Sequence, residues 1–153
     1  MYYLMPIHQL AAIVWVGGMF FAHMALRPAA LTTLQPSQRL PLFAAVFSHF
    51  FRWVWLSVIA LLATGFVLLF SWFGGMKGAP VHVHLMLTLG LVMTAIYSYI
   101  YFVPYGRLRR NVAAENWPEA GKALDTIRKL VVTNLTLGLI IVVTTAAGRY
   151  LAL

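Results

Sequence analysis

Apolar residues gather along this chain into four long runs separated by short polar stretches. The first runs from Tyr3 to Leu26 and is closed by Arg27-Pro28. The second, Trp53 to Phe73, ends in Gly74-Gly75. The third, Val81 to Val103, stops at Pro104, and the fourth spans Leu130 to Ala147, before Gly148-Arg149. Each is roughly the 20 residues that a helix needs to cross a ~30 Å hydrocarbon core. A run of that kind satisfies its backbone groups in lipid by forming a helix. The pattern predicts an all-α integral membrane four-helix bundle and a single membrane domain over 1–153. Its spans are 3–26, 53–73, 81–103 and 130–147, with an amphipathic loop at 104–129. No basic residue precedes the first run and the first charge follows it, the reverse of a signal peptide, so the helix is expected to be retained.

Composition agrees: 62% of the residues are hydrophobic and 9% charged, with mean hydropathy +0.85, against about 25% charged in soluble domains. There is no cysteine, which excludes disulfides, thiolate metal sites, iron–sulfur clusters and cysteine nucleophiles. The net charge of +8 is placed asymmetrically. Arg27, Arg39 and Arg52 lie between the first two runs, and Arg107, Arg109, Arg110, Lys122, Arg128 and Lys129 between the last two. Only Lys77 and Arg149 fall on the other side. The positive-inside rule then puts both basic loops in the cytoplasm and both termini outside. Basic charge used this way is expected to meet anionic membrane lipid and no nucleic acid.

All three acids, Glu115, Glu119 and Asp125, share the second loop, where Asn116, Pro118 and Glu119 read as the capped start of a helix. Tyr2, Tyr3, Trp53, Trp55, Trp72, Phe73, Tyr99, Tyr101, Tyr105 and Tyr150 lie near span ends, where rings anchor at headgroups. Gly17, Gly18, Ala22, Gly65, Gly90 and Gly138 would allow close helix approach or admit a planar macrocycle, and Gly138 suits a homodimer interface.

The chemistry rests on five histidines, because a polar ring in hydrocarbon must be paired or face a cavity. His8, His82 and His84 form an outer layer, and His23 and His49 an inner one. Helical stepping from His8 gives Ala11, Ala12, Trp15, Met19 and Ala22. From His84 it gives Thr88, Leu91, Ala95 and Ser98, the more polar stripe, which favours His84 over His82 as the inward residue. Histidines on separate helices at one depth suit axial ligation of haem iron. The same residues would take copper, with Met5, Met76 or Met86 as thioether ligands. The remaining methionines, Met19, Met24 and Met93, read as interior filling. No intramembrane carboxylate, phosphate-binding glycine loop or catalytic triad is present.

The stretch HQLAAIVWVGGMFFAHMALRPA resembles the first helix of CopD-type membrane proteins, named for copper resistance, and of HemJ-type protoporphyrinogen oxidases. His8, Trp15 and Gly18 carry the match. VHVHLMLTLGLVMTAIYSYIYFVPYGRLRR is similar to the HemJ segment in which a His-x-Lys pair opens a helix, with His82 at the His and His84 at the Lys. Asn134 matches in the fourth span, without the acid that follows it in that family.

The resemblance implies haem b held by His8 with His82 or His84, beside Trp15, but not the oxidase reaction. A second haem at His23 and His49 would complete a path to a quinone or a periplasmic redox partner. The implied function is a small b-type cytochrome, with CopD-type copper transport or resistance as the alternative.

Overall fold

The computed structural model describes residues 3–151, with side chains from Tyr3 to Ala147. Tyr2 and the side chains of Arg149 and Tyr150 lie outside the described residues. The described chain is helical nearly throughout: α1 (Leu4–Thr33), α2 (Pro36–Phe73), α3 (Val81–Phe102), α4 (Pro104–Ala113) and α5 (Trp117–Leu151). Four helical stretches are long and apolar enough to cross a membrane. In the bundle α1 packs on α2, α3 on α5, and α5 closes the ring against the middle of α1, while α4 lies against α5 and α2.

The helices outrun the apolar runs. α1 passes through Pro28 instead of stopping there. Proline removes a backbone donor and presses on the preceding turn, but the turn before it, Ala22–Leu26, is π-wound, as is Ile13–Gly17. The wider winding makes room and also matches the four-residue step Ala11, Trp15, Met19, His23 that faces inward.

α2 begins at Pro36, well before Trp53. Gln35 and Gln38 cap each other there, and proline suits the first turn. At its far end Gly74 adopts a left-handed φ of 65°, and the Gly75 N–H reaches the Leu69 carbonyl at 3.2 Å, closing the helix. The amphipathic loop is partly helical as read, yet its second half is continuous with the fourth span. The Asn116 Oδ1 accepts the Glu119 N–H at 3.4 Å, and the Glu119 carboxylate pairs with Lys122.

Aromatic rings form the densest part of the core. Phe43, Phe47 and Phe51 line up along α2, and Phe51 meets Tyr97, Tyr101 and Tyr105, the last edge-on at 4.9 Å. Trp55, Tyr101 and Tyr105 therefore belong to the interior and not to a headgroup belt, whereas Trp53, Trp72 and Tyr99 do point outward. Met19 and Met93 are buried as read, but Met24 is exposed.

Candidate functional site

His8 makes the interhelical contact that defines the site. Its Nδ1 lies 2.8 Å from Thr64 Oγ1 on α2, and its ring covers Gly65. Thr64 is buried, and its hydroxyl already donates to the Ala60 carbonyl at 2.6 Å. A hydroxyl has one hydrogen to give. In the tautomer where it goes to the Ala60 carbonyl, the His8 Nδ1–H donates to Thr64 and the Nε2 lone pair is left to bind a metal or accept a proton. Thr64 was not singled out in the sequence. A lone hydroxyl in an apolar run is common because it can bond its own helix, so nothing local distinguished it.

The outer histidines do not share a depth. Trp15 on α1 and Tyr97 on α3 meet edge-on at 6.0 Å and mark a common level. Counting back toward the helix starts at 1.5 Å per residue, His8 is roughly 10 Å from that level, and His84 and His82 are roughly 20 and 22 Å from it. Two axial ligands of one iron must lie within roughly twice a 2 Å metal–nitrogen bond. The offset of roughly 10 Å is between backbone levels, and the two imidazole side chains would have to bridge it.

Of the glycines expected to leave gaps for a macrocycle, Gly18, Gly65 and Gly138 are covered, whereas Gly17 and Gly90 face open space. A Cβ on Gly18 would run into the Phe50 ring, and one on Gly138 would come within 2.8 Å of Val16 and 3.2 Å of Met93. Gly65 is covered by His8. Gly18, Gly65 and Gly138 therefore offer no gap for a haem held between the first and third spans. Gly138 is buried inside its own chain, so it is not on a dimer surface.

Register also changes which side of α3 matters. Met93, Tyr97 and Ile100 are its buried face, whereas Thr88, Leu91 and Ala95 are exposed. His82 and Met86 share the azimuth of Met93, at 11 and 7 residues' separation, or about 20° off at 100° per residue. His84 lies on the opposite side of the helix, so His82 and not His84 continues the azimuth of the buried face, although both rings are part-exposed. That azimuth carries nitrogen and sulfur donors, His82, Met86 and Met93. Beside Met93, the fully buried Asn134 donates through Nδ2 to the Met93 carbonyl at 3.1 Å, and its Oδ1 has no partner.

The inner histidines do not converge. His23 lines a cavity of about 260 Å³ with Arg27, Arg39, Phe43, Phe47 and Asp125, while His49 is exposed and lies outside that lining. Among the described residues no group of three or more His, Asp or Glu is placed to hold a metal ion. Trp15 is buried as a packing residue against Tyr97.

No curated protein and no solved structure matches this chain. The family model described as copper resistance protein D matches residues 44–148, from within α2 to the end of the described side chains. With more than half its length matched and four spanning helices, this multi-pass membrane protein belongs to the copper resistance protein D family.

Proposed function

We propose that this chain handles copper ions as cargo in the bacterial inner membrane, taking them at the face opposite the basic end, with His8 as a metal ligand. The basic end then lies in the cytoplasm and both termini outside. The His8–Thr64 bond carries the reading, because it turns the free Nε2 into an oriented donor. A hydrogen-bonded second nitrogen is the usual partner of a metal-bound imidazole.

The nitrogen and sulfur donors give the ion successive stations. Measured from the Trp15–Tyr97 level, His82, Met86, His8 and Met93 fall at roughly 22, 16, 10 and 6 Å. Imidazole and thioether suit copper, the thioether especially Cu(I). No carboxylate lies among them to favour a hard cation.

The test is Cu(I) titration of the purified chain against a coloured chelator under reducing conditions, alongside its visible spectrum. The wild type should bind copper, His8→Ala should weaken binding by roughly tenfold or more, and the exposed His49→Ala should leave it unchanged. Equal affinity of His8→Ala and wild type overturns His8 as a ligand. A Soret band that disappears in His8→Ala would instead assign the site to haem b.

A further inference from the structure

A second cavity lies at the basic end, in the elbow between α2 and the α3–α4 junction. It is an open cleft of about 720 Å³, within the size range of small-ligand sites. Arg52 and Arg109 contribute the charge, Ser48, Tyr101 and Tyr105 contribute hydroxyls, and Trp55 forms an apolar wall.

The electrostatics of this pocket are one-sided. No acidic residue lines it. Among the described residues the ion pairs are Lys122 with Glu119, and Arg128 and Lys129 with Asp125, all on α5. Arg52 and Arg109 have no carboxylate. Arg52 spends its Nε on the Ser48 carbonyl at 3.2 Å, and Arg109 lies 5.8 Å over the Tyr105 ring. Both arginines line the same cavity as the Tyr105 hydroxyl, so their charges face one space. Two guanidinium forks beside hydroxyl donors are the chemistry of phosphate recognition.

The surroundings name the source of that phosphate. Arg52 immediately precedes the apolar run that starts at Trp53, the depth at which headgroups lie. Toward the membrane centre on the same α2 stripe, Leu56 and Ile59 are 58% and 62% exposed, and Phe102 on α3 is 69% exposed. Acyl chains would lie along these residues while the phosphate enters the cavity.

We propose that this cavity is a binding site for the phosphate of an anionic phospholipid. A zwitterionic headgroup would bring a further cation beside the two arginines and bind less well. The site is independent of the copper reading and stands or falls separately from it.

The experiment is native mass spectrometry of the full chain released from neutral detergent after exposure to phosphatidylglycerol or phosphatidylcholine, with inorganic phosphate as a third arm. The wild type should retain phosphatidylglycerol over phosphatidylcholine. The double variant Arg52→Gln/Arg109→Gln should retain roughly tenfold less or lower still. A control, Arg107→Gln/Arg110→Gln, removes the same charge from outside the lining and should match the wild type.

Equal loss in both double variants would reduce the effect to general surface charge and overturn the site. Equal retention of the two lipids would overturn the preference for an anionic headgroup. Displacement of the lipid by millimolar inorganic phosphate would overturn the lipid as source in favour of a soluble phosphate. Melting curves of both double variants establish that each is folded, since all four arginines are exposed on the protein surface.

Discussion

The two ends of the bundle are built differently. At the basic end, and up to the Trp15–Tyr97 level, α2 buries Leu40, Phe43, Phe47, Phe51 and Val54, and α5 buries Ala120, Ala123 and the fully enclosed Ile127. At the opposite end no residue is buried between 81 and 92 or between 139 and 147. There α2 alone supplies an extended interior, through Thr64, Leu68 and Leu69. Packing rather than water expulsion holds helices together in lipid, so the aromatic end carries most of the cohesion. The lightly packed end carries the oriented histidine and the stripe of donor atoms. Loose packing where ligands enter and dense packing where the fold is fixed is a division that regional stability allows.

The most severe test of this contrast is Phe51→Ala, which empties the centre of the aromatic cluster. It should cost about 3 to 5 kcal/mol by reversible unfolding in detergent, while Leu85→Ala at the open end should stay within about 0.5 kcal/mol. Comparable losses for the two would erase the contrast. Next comes a matched glycine pair. Gly138→Ala meets Val16 and Met93 and should cost about 1 to 3 kcal/mol. Gly90→Ala meets nothing within 4 Å and should be neutral or gain up to about 1 kcal/mol of helix propensity.

Thr64→Val is smaller still in stability, about 1 kcal/mol, but should lower Cu(I) affinity by roughly tenfold. Unchanged copper binding in a folded Thr64→Val protein would show that the His8 tautomer does not matter. The smallest effect belongs to Asp125→Asn, whose ion pairs to Arg128 and Lys129 are solvent-facing and are worth about 0.5 kcal/mol at most. Thermal melting should barely register it.

The spans, the all-α architecture and the asymmetry of basic charge were legible in the sequence, because hydropathy over 20 residues reports directly on lipid exposure. Helix ends were not. Pro28 looked like a stop, and only the π turn at Ala22–Leu26 explains why the helix continues. Belt and core aromatics share a composition, so Tyr105 and Trp53 could not be told apart until the α2–α4 contact placed one inside and one outside. The histidines were singled out as the residues bearing chemistry, and their relative depth was not legible. Depth depends on how far one helix slides against another, and residue counts along each helix say nothing about that. On α3, polarity pointed to the stripe of His84, whereas the azimuth of the buried face carries His82, Met86 and Met93.

α2 has a mechanical consequence of its own. Its 38 residues form one helix that continues through Pro41, roughly 57 Å along its axis, and the stretch from Arg52 to Thr64 holds no proline. Arg52 at the phosphate cavity and Thr64 beneath His8 are separated by roughly 18 Å along that stretch. A rod that neither bends nor breaks between two points transmits axial and rotary displacement undiminished. Whatever anchors Arg52 to the membrane surface therefore also sets the height and azimuth at which Thr64 presents its hydroxyl to His8.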